Sequence, residues 1–437
     1  MRNFPALRCG FLAGLVLGAL AGCGAAAVAP PPAAAAPPAA TATAAGLAFG
    51  PAQVLSAPDT ADATVMTGTF ASGVHAYVWT ATPPGDGTLQ LRLDDSPALS
   101  LPDRDGAAGV DPETPAKLGF GPRGELYIAY AVARQAVTTG NRATSRWRED
   151  QRAAVHVIRS DDSGKSWTAP SSVSDDGAWG SYRSDHAFHV TAGGTVYAAW
   201  IDGRDAEVMR VYVARSDDRG ATWSKNVAVD RDGVCECCRV ALASSADGRL
   251  YAAWRKLLPG GIRDIVVASS ADQGRHWSVP IVAHADGWQV EQCPDAGPSM
   301  LAEDSGRLHL AWWTGKPGAA GVSYASSPDG GKSWGAAVPL KIGAASRASH
   351  AQIARGADGT LYVAWDDGVA KDPQILLAVS HDGGRHFGVP QVLSEPDTVP
   401  GYPSIAVSAH AVTVAWHQPD PKSGAHHQVI ARTAALP

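Results

Sequence analysis

The sequence predicts an all-β protein made of tandem four-stranded units that close into a ring. Three observations carry that prediction: a turn motif recurs five times at near-constant spacing, an aromatic strand ending recurs seven times, and two near-identical segments stand at opposite ends of the chain. Composition agrees. The 437 residues include 47 Gly and 31 Pro, well above ordinary usage, and this excludes a helical bundle or coiled coil because each mid-helix Gly costs ~1 kcal/mol and each Pro ~3. Lys and Arg number 36 against 42 Asp and Glu, a net charge of −6, whereas a general nucleic-acid binder carries a basic field.

The chain opens on an address. Arg2 and Arg8 flank its start, and the apolar run from Cys9 to Ala19 is too short to span a membrane. It ends in Leu20-Ala21-Gly22-Cys23, which resembles the lipobox of bacterial lipoproteins. The resemblance implies cleavage after residue 22, lipidation of Cys23, and, if the cell is Gram-negative, the outer membrane, since Gly24 rather than Asp follows the cysteine. Residues 24–46 carry no charge and almost no bulky side chain, so they cannot bury enough surface to offset their ordering entropy and read as a semi-extended tether. The expected layout is a signal peptide over 1–22, a lipid-anchored linker over 23–46 and one β-domain over 47–437.

Within that domain five segments share the pattern S-x-D-x-G-x-x-[WF], with serines at Ser160, Ser216, Ser270, Ser327 and Ser380, spaced 53 to 57 residues apart. Each follows a β-rich run such as VHVIRS or VYVARS, as a turn between antiparallel strands should. The Asp carboxylate can accept backbone N–H bonds inside the turn, and Gly supplies a position of positive φ. One carboxylate per turn, distributed around a ring, does not make a calcium site. These segments are similar to the Asp-box (BNR) repeats of the sialidase-like β-propellers, and the resemblance covers most of residues 47–437.

Strand-like runs ending in Trp79, Tyr130, Trp200, Trp254, Trp312, Trp365 and Trp416 count seven blades, with an insertion around residues 131–152 explaining the longest interval. Merging the first and last units would give six, the number in sialidase catalytic domains. Residues 49–60 (FGPAQVLSAPDT) nearly repeat residues 387–398 (FGVPQVLSEPDT), the outer strand of the sixth blade. The N-terminal copy is therefore expected to complete the last blade and to remove its free edge.

If strands run from the axis outwards, the regular turns and Asp-boxes share one face and the non-repeating loops share the other. Function belongs on the second. Four tryptophans outside the repeats, Trp147, Trp179, Trp288 and Trp313, fall in those loops, either as caps over the core or as a floor for a flat ligand such as a sugar. Arg183, Asp185, His186, Arg239, Arg347, His350 and Tyr402 stand at the starts of the innermost strands, Glu291 and Asp295 precede one of them, and Asp202, Arg204, Arg255, Lys256, Asp366 and Asp367 lie in the adjoining loops. Sialidases hold a sugar carboxylate in three arginines and use a Tyr–Glu nucleophile with an Asp acid/base. The resemblance implies Arg183, Arg239 and Arg347 as a clamp, Tyr402 with Glu291 or Glu236 as nucleophile pair, and Asp185 as acid. A guanidinium fork suits a carboxylate better than an ammonium does. One feature departs from the family, whose first arginine sits in an Arg-Ile-Pro motif that this chain lacks.

Cys235, Cys237 and Cys238 enter the fourth blade and Cys293 enters the fifth. In an oxidising envelope they read as two disulfides, with Cys293 paired to Cys237 or Cys238 because a vicinal bridge is strained. A soft-metal site for Cu(I) or Zn(II), with His186, His284 or His350 nearby, is the alternative, although C-x-C-C is not a standard zinc spacing. Otherwise no cofactor is expected. The expected protein is a monomeric, envelope-anchored binder of a glycan or other anionic ligand at the channel mouth; a glycoside hydrolase and a protein-assembly scaffold are the rival functions.

Overall fold

A computed structural model describes residues 46–437 apart from 58–60, 63–64, 71, 83–87, 102–114, 134–151, 176–179, 182–185, 205–207, 236–237, 292–293, 343–349, 369–371 and 421–426. Every regular element in these residues is a strand. The strands form seven antiparallel blades, each numbered here in chain order. The innermost strands are Met66–Thr69, Lys117–Phe120, Ala187–Val190, Ala241–Ser244, Ser299–Ala302, Gln352–Arg355 and Gly401–Val407. Each innermost strand touches the next, and that of the seventh blade touches that of the first. The ring is closed with seven units, not six.

Second strands run His75–Thr82, Leu126–Ala133, Val196–Asp202, Leu250–Leu258, Leu308–Thr314, Leu361–Asp367 and Ala411–Pro419. Their aromatics explain why the repeat makes a ring. Trp254 packs with Tyr197, Ala199 and Val211 of the preceding blade, Trp312 with Tyr251 and Ile265, and Trp365 with Val322 and Tyr324. Trp200 and Trp416 do likewise, Tyr130 packs on Val78 and Leu89, and Trp79 of the first blade packs on Ala415, Val429 and Ala431 of the seventh. Each aromatic is 2% exposed or less, so every blade boundary holds one large apolar side chain. A burial of that size stabilises by about 1.5–3 kcal/mol, and no blade can bury its face alone.

The last blade carries Gln53–Val54 on its third strand, His427–Ala435, with Gln53 opposite Ala431 and Val54 opposite Ile430. Further bonds continue that contact: the Gly50 N–H donates to the Thr433 carbonyl at 2.9 Å and the Leu55 N–H to the Val429 carbonyl at 2.8 Å. In the same sheet Ala61 pairs with both His427 and Thr82, linking the seventh blade to the first.

The Asp-boxes are rigid turns. In the third blade the Ser216 hydroxyl donates to Asp218 Oδ1 at 2.7 Å and accepts the Gly220 N–H at 2.7 Å, while Asp218 accepts the Thr222 N–H and hydroxyl. The other four repeat this geometry. Gly220 has φ +79°, where a β-carbon is strained. All five boxes lie at the far ends of the third strands, Val196 pairing with Ser216, which is the face opposite the starts of the innermost strands.

Candidate functional site

At the irregular face the starts of innermost strands meet the ends of second strands, Gly401 pairing with His417 and Gln352 with Ala364. The seventh blade breaks its register between Gly401 and Ser404, and Tyr402 has φ +55°. A bulge of this kind re-aims a side chain, and a non-glycine residue held at positive φ marks strain that its surroundings must maintain.

Asp366 maintains it. One carboxylate oxygen accepts the Tyr402 N–H at 2.9 Å and contacts His350 Nδ1 at 2.7 Å; the other accepts the His350 N–H at 2.9 Å. A single buried carboxylate of the sixth blade thus fixes two rings. His350 stacks on Tyr402 with centroids 3.9 Å apart, and His417 lies on Tyr402 at 5.0 Å. Burial opposes ionisation of Asp366, yet the charge and hydrogen bond of His350, joined by the two N–H donors, hold the carboxyl well below its ordinary range. His417, stacked on His427 at 5.2 Å, is pushed down to about 4, first by burial and then by His427.

The fourth blade completes the group. The Arg239 guanidinium lies 5.4 Å from the centre of the Tyr402 ring, and Arg239 is 8% exposed. The fourth and seventh blades are not neighbours, so this contact crosses the central opening. Arg239, His350, Asp366 and Tyr402 of the sequence reading are therefore brought together. Histidines and an arginine touch the Tyr402 ring, while Glu291 is an exposed residue of the link into the fifth blade. Arg183, Asp185, Arg347, Trp179, Trp147, Glu236, Cys237, Cys293 and Cys23 lie outside the described residues.

Other candidates have different work. Arg255 is fully buried, and its guanidinium donates to the carbonyls of Ala296, Arg263 and Trp313 at 2.6 to 3.1 Å. It is an internal clamp between the fourth and fifth blades rather than a ligand contact. Trp288 lies under Arg255 and edge-on to Trp313, at 5.2 and 5.0 Å, and its 6% exposure makes it a cap over the core, not an open sugar platform. Asp202 accepts the Trp200 indole N–H and pairs with Arg204, which also reaches Asp175 and Asn226; these groups fasten a loop to the outer strands. Lys256 lies between Asp230 and Asp232, and Asp367 pairs with Lys341. His186 is buried against the Ala129 carbonyl. Cys235 and Cys238 are both buried thiols, their sulfurs 3.2 Å apart. Among the described residues no group of three or more His, Cys, Asp and Glu side chains is arranged to hold a metal ion.

Sequence reasoning missed His417, His427 and Arg263. The first was within reach: Arg255, Trp313, Asp366 and His417 all directly follow the aromatic of their second strand, a register that places them at the irregular face. The Arg263 contact with Cys235 is long-range and has no local signature.

Seven blades, five Asp-box turns and a polar irregular mouth define an Asp-box β-propeller of sialidase-like architecture. Residues 120–363 match the family model of the BNR repeat-like domain, more than half of the chain, and the chain belongs to that family. Among solved structures, a PL25 polysaccharide lyase, an ulvan lyase bound to -[GlcA(1-4)Rha3S]-, shares the fold with TM-score 0.52 and 14% identity over 84% of this chain and 91% of its own. The Hadza microbial sialidase Hz136 is similar at 17% identity and TM-score 0.48, over 88% and 92%. A protein of unknown function from Dyadobacter fermentans DSM 18053 is similar at 16% identity and TM-score 0.49, over 74% and 94%. No curated protein matches significantly.

Proposed function

We propose that this propeller binds an anionic glycan at its irregular mouth, with Arg239 meeting the acidic group and the half-buried Tyr402 ring, backed by the buried His350, forming the platform beneath the sugar. The observation that carries the reading is the contact of Arg239 with Tyr402 across the opening, since it sets a bidentate donor beside two stacked rings at one point. The ulvan lyase of the same fold binds a glycan containing GlcA and Rha3S, which supports an acidic sugar as ligand class. A glycan array of sialylated, uronate-containing and neutral oligosaccharides tests it. Retention of acidic glycans by the parent and their loss from Arg239→Ala is the expected result; no acidic glycan retained, or equal retention by the variant, overturns it.

A second reading is glycoside processing at the same point. It is favoured by Asp366, which orients the His350 ring beside the Tyr402 ring in the manner of an acid–base partner. Turnover of a fluorogenic sialoside, abolished in Tyr402→Phe, would support it, whereas binding without turnover leaves a lectin-like protein. We further propose that the domain is carried on the bacterial envelope by lipid at Cys23, read from Leu20-Ala21-Gly22-Cys23. Incorporation of labelled fatty acid by the parent and not by Cys23→Ser checks this.

A further inference from the structure

We propose that Cys235 and Cys238 form a redox-active dithiol, at which a small peroxide converts two buried thiols into an internal disulfide. The pair is independent of the glycan reading. Its sulfurs are 3.2 Å apart, with the Cys238 S–H directed at Cys235 Sγ. The backbone holds them together: the Cys235 N–H donates to the Arg255 carbonyl at 2.9 Å, and the Cys238 N–H donates to the Cys235 carbonyl at 3.3 Å.

The surroundings decide what chemistry suits the pair. Arg263 Nη1 donates to Cys235 Sγ at 3.0 Å, and its Nε is anchored by the Val290 carbonyl. The fully buried Arg255 adds a second cation close by. Two guanidinium groups beside a sulfur favour an anion there and repel a metal cation, so the site selects thiolate chemistry over soft-metal binding. Consistently, the Cys238 S–H and then Arg263, against the opposing effect of burial, hold the Cys235 thiol down to about 6, while burial and the neighbouring Cys235 sulfur push Cys238 well up. One attacking and one resolving thiol result. Both residues are 0% exposed, so the oxidant must be as small as hydrogen peroxide and must enter through a local opening of the fold.

In the first step the Cys235 thiolate attacks one peroxide oxygen, the O–O bond breaks, and hydroxide leaves to take a proton as water. Cys235 is then a sulfenic acid. Next the Cys238 sulfur gives up its proton and attacks Cys235 Sγ, the S–O bond breaks, and a second water departs. Dithiol and peroxide become disulfide and two waters, and an added dithiol reductant reverses the change.

The test uses the full chain carrying Cys237→Ser and Cys293→Ser, treated with hydrogen peroxide while folded, then unfolded, alkylated and digested with trypsin. The peptide 232–239 holds both sulfurs. It is expected to lose two hydrogens, to escape alkylation and to be restored by dithiothreitol, with Cys238→Ser running on to a sulfinic acid at Cys235 instead. Arg263→Leu should slow the oxidation about tenfold at neutral pH, because the thiolate fraction falls. Should Arg263→Leu melt early, the pH profile of the parent decides: a rate already level by about pH 7.5 supports the site, and a midpoint near the ordinary thiol value of about 8.5 overturns it. Two thiols that survive peroxide in the folded chain, yet oxidise after unfolding in urea, also overturn it.

Discussion

The guanidinium of Arg239 sits 5.4 Å from the ring of Tyr402, although the two belong to the fourth and seventh blades. A contact between non-adjacent blades depends on the whole ring, so the site exists only when the propeller is complete. It also joins Tyr402, held at positive φ, to an arginine that is almost buried, at a point where a ligand's charge would be poorly screened.

Removing that arginine should therefore weaken an acidic ligand far more than it weakens the fold. Arg239→Ala is expected to lower affinity for an acidic oligosaccharide about tenfold or more, the scale of one charge-assisted hydrogen bond, with Arg239→Lys intermediate. Titration calorimetry against the acidic glycan and its neutral counterpart checks this; an equal loss for both would remove charge recognition from the argument.

Asp366 should be the structural keystone of the mouth. Asp366→Asn leaves its three donors without a charged acceptor and is expected to cost about 2–4 kcal/mol, since breaking a buried pair strands its partner. Urea unfolding measures the loss. A cost below half a kcal/mol would show that Tyr402 keeps its strained backbone by other means.

Acid should act on the fold in two stages. His75, His189 and His417 are each lowered to about 4, chiefly by burial. A depressed pKa means that the unfolded chain takes the proton first. The stability these rings give is thus whole above about pH 6.5 and is lost towards pH 4, by up to about 1.4 kcal/mol per pH unit for each group. Below that the Asp-boxes follow: Ser166 bonds hold Asp162 near 2, and hydrogen bonds outweigh burial to hold Asp218 there too. Their share is present above about pH 4 and lost as pH falls through 2. Melting temperature recorded from pH 8 to pH 2 checks both stages; a flat curve between pH 7 and pH 4 contradicts the first.

Gly297 offers a steric test of the mouth. A β-carbon there would collide with the Arg239 carbonyl oxygen, a backbone atom that cannot rotate away. Gly297→Ala is expected to destabilise by about 1–3 kcal/mol through overpacking and to displace Arg239, so that glycan affinity falls with it. Gly261→Ala, where no atom lies within 4 Å but φ is +74°, serves as a control for strain without the clash.

Much of the architecture was legible because it rests on period. The spacing of the Asp-boxes and of Trp79 through Trp416 records a unit that cannot bury its own face, and such units must stack. The mouth was legible only in part. Strand ends named Arg239, His350, Asp366 and Tyr402, but composition could not tell a presented group from an internal clamp. Arg255 and Arg239 are the same residue type in the same region; the guanidinium of one is held by three carbonyls, and that of the other lies over the Tyr402 ring. That difference depends on which carbonyls fold back to meet each side chain, and it has no local signature.

The seventh blade takes residues 53–54 from the beginning of the chain and its remaining strands from 401–435. A polypeptide still on the ribosome therefore holds residues 53–54 without their partner strand until His427–Ala435 has emerged. Six blades can accumulate in order of synthesis, yet the seventh sheet must wait for a partner far along the chain, and that long separation is the slow, aggregation-exposed step of its assembly.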